Sequence, residues 1–142
     1  MTEGVVSRVK YQVLSMETIK SFTDLRSWQE AHSLAIMIYN LTKKFPKEEQ
    51  FGLTNQIRRA SVSVVSNIAE GFSRYSSREK AQFYRHSLGS LSELQSQLLI
   101  AKDIHYITKE DFDAFALQTI TASKLINGLI KSSGKLIPVL NT

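Results

Sequence analysis

The basic residues Arg58, Arg59, Arg74, Arg78, Lys80 and Arg85 gather in the central part of a 142-residue chain. Arg78 and Arg85 stand seven apart, two turns of a helix, on a face that also carries Gln82, Ser92 and Ser96. Tyr75 and Tyr84 are interleaved with them. Guanidinium groups take phosphates through charge-assisted, often bidentate hydrogen bonds, and exposed tyrosines stack on unpaired bases. The pattern suits the backbone of RNA or DNA. A plainer alternative is a solvated helix face with partial pairing between turns.

A second cluster, Asn67, Glu70 and Gly71, raises the question of catalysis, because Glu70 has the chemistry of a general base. The same residues also suit architecture. Arg59, Ser63, Ser66 and Glu70 share one helical face, and Asn67 and Glu70 can bond neighbouring helix ends or backbone and so fix the 71–77 turn. Buried polar groups must find partners in any case, which favours the architectural reading. No phosphate-cradling glycine loop and no nucleophile–base pair can be read from the spacing. Di-iron bundles use Glu-x-x-His pairs, and no Glu of this chain has a His three residues on. His32, His86 and His105 fall on separate helices or ends, and His32 shares a stripe with Trp28 and Tyr39, as a packed core histidine would. The expectation is a protein without catalysis, metal or cofactor.

Composition narrows the class further. The net charge is +5 and the pI about 9.5, a balance that invites polyanions. The excess is uneven, at +2 over residues 72–107 and −1 over residues 48–71. There is no cysteine, so disulfides and thiolate metal sites are excluded and a reducing cytoplasm is the expected home. No apolar run approaches the roughly 20 residues of a membrane span. The length fits one domain, and two prolines with six glycines favour long helices.

Four helices are predicted to position these side chains. Residues 1–21 show no clean period and read as a flexible or strand-like extension, with a second possible start at Met16. The first helix runs from about Leu25 to Lys44 behind Thr23 or Asp24 as a cap, and Phe45-Pro46 breaks it. It carries two apolar stripes: Leu25, Trp28, His32, Ala35 and Tyr39, then Leu34, Met37 and Leu41. The second begins near Lys47–Glu49 and buries Leu53, Ile57, Ala60, Val64 and Ile68, with Val62 and Val65 widening the arc. Gly71 is expected to end it in a left-handed cap. The third opens at Ser76 or Ser77, turns Phe83, Leu91, Leu94, Leu98 and Ala101 inward, and ends near Ile104–Tyr106. Gly89-Ser90 in its middle suggests a close helix crossing. The fourth starts at Thr108, presents Phe112, Phe115, Ala116, Ser123, Ile126 and Ile130, and is expected to stop at Gly134, leaving residues 135–142 as a tail. Short connections make this an all-α, antiparallel up-down four-helix bundle over residues 22–134.

The stretch from Phe22 to Arg74, followed by Gly89 to Ala101, resembles the four-helix-bundle family of intervening-sequence proteins of bacterial large-subunit ribosomal RNA genes, a match that covers roughly Phe22 to Ile130. That family also includes the accessory variability determinants of diversity-generating retroelements. The most specific matches are Trp28-Gln29 with Ala31-His32, Phe45-Pro46, Gly52-Leu53, Gln56 with Arg58-Arg59-Ala60, Asn67 to Gly71, and Gly89-Ser90 with Glu93. The resemblance implies a basic homopentameric barrel and, in retroelements, a nucleic-acid-binding partner of a reverse transcriptase that catalyses nothing itself. It makes Asn67, Glu70 and Gly71 architectural and the arginines the binding candidates. The competing function is a scaffold whose basic ridge meets an acidic protein partner.

Overall fold

The computed structural model describes residues 19–140 and the side chains of residues 19–133, so the expectation for the leader at 1–18 lies outside it. Four helices follow in order: α1 (Arg26–Thr42), α2 (Leu53–Ser73), α3 (Ser77–Asp103) and α4 (Lys109–Leu140). α1 packs on α2 and α4, and α3 packs on α2 and α4, so the helices stand at the corners of a square. The expected four-helix bundle is what forms.

The predicted stripes of α2 and α3 are the core. Ile57, Val64 and Ile68 meet Leu91, Leu94 and Leu98 in the interior, with Leu34 and Ile38 from α1 and Ala122 and Ile126 from α4. On α1 the buried face is Ala31, Leu34, Ala35, Ile38, Leu41 and Thr42. Of the other stripe, Trp28 is half-buried and His32 and Tyr39 are exposed. His32 lies against the Trp28 ring in a stack at 4.7 Å between centroids, on the outside of the bundle. It is therefore no core histidine. Its register is two steps from the Leu34–Ile38 line, and the larger aliphatic residues take the interior.

Local chemistry explains the helix ends. Ser21 and Asp24 form a capping box around a 3-10 turn, Phe22–Asp24, so the cap stands one turn earlier than expected and α1 starts behind Leu25. Lys47–Glu49 is a separate 3-10 turn, and the Glu49 carboxylate accepts from the Leu53 amide to start α2. Ser76 accepts from the Glu79 amide, and Thr108 from the Asp111 amide, as their positions suggested. α4 continues past Gly134.

Two glycines behave differently from the sequence expectation. Gly71 lies inside the last turn of α2 without a positive φ, and the left-handed residue is instead His105 (φ 67°) behind α3. There the Tyr106 amide reaches back to the Ala101 carbonyl at 2.8 Å, which closes the helix. Gly71 is required for a different reason: a Cβ on it would stand 2.6 and 2.8 Å from the Tyr84 ring and 3.1 Å from the Phe83 Cβ. Gly71, not Gly89, is where the facing helix leaves no room for a side chain. At Gly89 a Cβ would meet nothing within 4 Å.

Two polar links add to the α2–α3 contact. The Ser87 hydroxyl donates to the Val64 carbonyl at 2.7 Å, and the Ser63 and Ser90 hydroxyls bond at 2.7 Å. Across the other side of the bundle, the Gln118 amide donates to the Glu30 carboxylate and carbonyl, tying α4 to α1.

Gly71→Ala should therefore lower stability by about 1–3 kcal/mol through overpacking against Tyr84, read by urea unfolding. Burial pushes the Tyr84 phenol up to about 12. The folded state holds that proton more tightly than the unfolded chain, whose tyrosine titrates near 10. The associated stability is full below about pH 10 and is lost as pH rises from there through about 12. Tyr84→Phe should flatten that limb of the stability profile relative to the parent.

Candidate nucleic-acid interface

The six cations divide into two groups. Arg58 lies between α1 and α2: its Nε donates to Thr42 Oγ1 at 2.8 Å, and its guanidinium lies 4.7 Å from the centre of the Tyr39 ring. Thr42 in turn bonds the Ile38 carbonyl in the interior. Arg74 pairs with Glu70 one turn back and lies 4.6 Å over the Phe83 ring, with its Nε buried and unpartnered. Lys80 donates to the Phe72 carbonyl at 2.7 Å and sits 5.3 Å over the Phe72 ring. It neutralises the carbonyl end of α2, and burial holds its ammonium below the ordinary lysine value. These three side chains fasten helices together.

Arg59, Arg78 and Arg85 are exposed and form no ion pair among the described residues. Arg78 and Arg85 do share the outward face of α3 with Gln82, Gly89, Ser92 and Ser96, all exposed. A shallow groove lined by Gln82, Arg85, His86, Gly89, Ser90 and Glu93 runs beside them toward α2. Arg59 is elsewhere, in a groove between α1 and α2 with Tyr39, Asn55, Arg58, Val62 and Ser63. The fold thus brings together two of the six cations as a free ridge. Of the two tyrosines, Tyr75 is fully exposed (101%), whereas Tyr84 is 2% exposed and packed on Gly71. Tyr84 is withdrawn as a stacking residue, because an interior phenol has no face to offer a base.

The Asn67 cluster is bonded within the fold. The Asn67 amide donates to the Ser63 carbonyl at 2.8 Å and to its hydroxyl at 3.1 Å, extending the Ser63–Ser90 link between helices. Glu70 is exposed and occupied by Arg74. Neither residue lines the two grooves described above. The described residues contain no grouping of His, Asp and Glu able to hold a metal ion, and no described helix is long and apolar enough to cross a membrane. Sequence reasoning missed the aromatic rings beneath Arg58, Arg74 and Lys80. The Lys80 partner had a signal, since Phe72 lies across a short turn, but nothing in the spacing links Arg58 to Tyr39.

A square four-helix bundle with Arg78 and Arg85 on the outward face of α3 defines the class: a small all-α helical module. The model of the 23S rRNA-intervening sequence protein family matches residues 23–128, and the chain belongs to that family. It is similar to a solved structure, a protein with unknown function from the S23 ribosomal protein family of Bacteroides thetaiotaomicron VPI-5482. The TM-score is 0.69 at 24% identity, over 74% of this chain and 98% of that one, a likeness of fold. No curated protein matches the chain.

Arg58→Met should lower stability by about 1–3 kcal/mol, since it removes a charge-assisted hydrogen bond and leaves the part-buried Thr42 hydroxyl without its donor. Arg78→Gln and Arg85→Gln should melt with the parent. Thermal unfolding of the three variants separates the fastening cations from the free ones.

Proposed function

We propose that this protein is a non-catalytic accessory protein that binds the phosphates of nucleic acid and acts as an oligomeric ring. The observation that carries the reading is the outward face of α3, where Arg78 and Arg85 point the same way and spend their charge on no internal partner. Unneutralised guanidinium pairs on a basic protein favour polyanions through counterion release. The family description connects its members with intervening sequences of 23S rRNA. The resemblance to retroelement accessory proteins adds a reverse transcriptase as the enzyme such a protein would serve, which co-purification of the two tests directly.

The ring is supported by two apolar faces. Ile36, Tyr39 and Val62 are exposed between α1 and α2. Leu99 on α3, with Leu117 (67% exposed) and Ile120 on α4, is exposed between α3 and α4. The helical advance of about 100° per residue places Leu99 opposite Ser90, which faces α2, and Ile120 opposite Gln118, which faces α1. In a square bundle those two faces are on opposite sides. Two unlike faces that cover each other make a heterologous contact, which builds a ring when the rotation from one subunit to the next closes. The resemblance implies five subunits. A ring repeats the α3 ridge in every subunit and gains avidity through effective concentration.

Fluorescence anisotropy with labelled RNA and DNA over a salt series tests binding. The log–log slope should be about −0.9 per phosphate contact on duplex and about −0.7 on single strands. The double variant Arg78→Gln, Arg85→Gln should weaken binding to all sequences and flatten the slope. Light scattering should give a mass well above the 16.1 kDa of one chain. A parent that binds nothing at low salt would leave the acidic protein partner as the better reading, and a clean monomer would remove the ring.

A further inference from the structure

We propose that the edge of α3 from Tyr75 to Gly89 receives an unpaired nucleic-acid strand. One base lies on the Tyr75 ring, and the sugar–phosphate backbone follows Arg78, Gln82 and Arg85 to the bare backbone of Gly89. The inference rests on the nucleic-acid reading above and adds the class of strand.

Two observations that the fold does not explain meet on this edge. The first is Tyr75. Its side chain is wholly in solvent, yet its backbone is held on both sides. Before it, Lys80 binds the Phe72 carbonyl and Arg74 is pinned between Glu70 and Phe83. After it, Ser76 caps α3 through the Glu79 amide. The result is an aromatic ring on a fixed stem, one turn from the free Arg78 guanidinium. Phe51 is the other highly exposed aromatic among the described residues, but it follows Glu48 and Glu49, whose charge repels phosphate.

The second is Gly89. An interior helical glycine weakens a helix, and here neither packing nor backbone conformation asks for one. Nothing lies within 4 Å of where its Cβ would stand, and its φ is not positive. What the missing side chain does is keep open the groove between Arg85, His86 and Ser90. Bare backbone suits the close approach of another chain.

The geometry joins the two. Arg78, Gln82, Arg85 and Gly89 follow at intervals of four, three and four residues, which keeps them on one line of α3. That line is roughly 16 Å long. Donors of Arg78, Gln82 and Arg85 project along it, and Glu93 one turn beyond Gly89 ends it by like-charge repulsion. At Ser90, which bonds Ser63 of α2, the groove reaches the α2 side of the helix, about 180° around from Leu99. A duplex keeps its bases stacked on one another and offers the Tyr75 ring no face, so the edge favours a strand whose bases are free.

The test compares one labelled RNA oligonucleotide alone and annealed to its complement, by anisotropy with the full chain. Tyr75→Ala should weaken the single strand about tenfold while barely moving the duplex, and Tyr75→Phe should bind as the parent does. Gly89→Leu should melt no lower than the parent, because it places a good helix former in open space, yet lose about tenfold on the single strand. Equal effects of Tyr75→Ala on both forms, or parental binding by Gly89→Leu, would overturn the inference while the phosphate-binding reading stands. A parent that binds neither form would overturn both.

Discussion

The Tyr84 ring of α3 lies on the bare backbone of Gly71 in the last turn of α2, in space that a Cβ would need. Much of the molecule follows from this contact. It turns Tyr84 inward, and one residue further on, at about 100° around the helix, Arg85 is turned outward. The Ser87 bond to the Val64 carbonyl and the Ser63–Ser90 pair continue the same seam and hold its register. A hydroxyl between helices is costly when unpaired, so a slip of one residue along the seam would be opposed by each of these bonds. The seam thus fixes which side of α3 faces water.

The cations around that seam share a type but not a task. A guanidinium over an aromatic ring, with N–H groups already bonded to oxygens of its own chain, has lost part of its hydration and has fewer donors to give a phosphate. Arg58 on Tyr39 and Thr42, and Arg74 on Phe83 and Glu70, are in this state. Lys80 closes the carbonyl end of α2, and Lys102 over the Phe112 ring fastens the start of α4 to the end of α3. Of the six central cations, Arg78 and Arg85 stand side by side in solvent without an ion pair among the described residues, and their chemistry is that of phosphate recognition.

The outer surface is equally divided. Apolar side chains in water are common when scattered, and informative when they fall on two opposed flanks of one small bundle. Ile36, Tyr39 and Val62 lie on one side and Leu99, Leu117 and Ile120 on the other, while the α2–α3 side carries Ser66, Glu70, His86 and Glu93 in solvent, joined toward the end of α3 by the exposed Ile100.

Periodicity alone set out four helices, their approximate ends and most of the α2 and α3 core, because a 3.6-residue repeat in Ile57, Val64, Ile68, Leu91, Leu94 and Leu98 depends only on the chain being helical. Capping by Ser76 and Thr108 was equally legible, since a cap bonds within its own first turn. What the sequence could not rank were alternatives on the same helix. Tyr75 and Tyr84 look alike in a basic stretch, and the choice between them belongs to Gly71 on another helix. His32 and Tyr39 follow an apolar period yet lie outside, because Leu34 and Ile38 fill the space that α2 and α4 leave. Arg58 and Arg78 are the same residue type, and only packing tells the one that finds a ring and a buried hydroxyl from the one that finds water. Spacing along one chain reports what a helix must bury; which neighbour arrives at each position is decided in three dimensions, by shapes that no single helix contains.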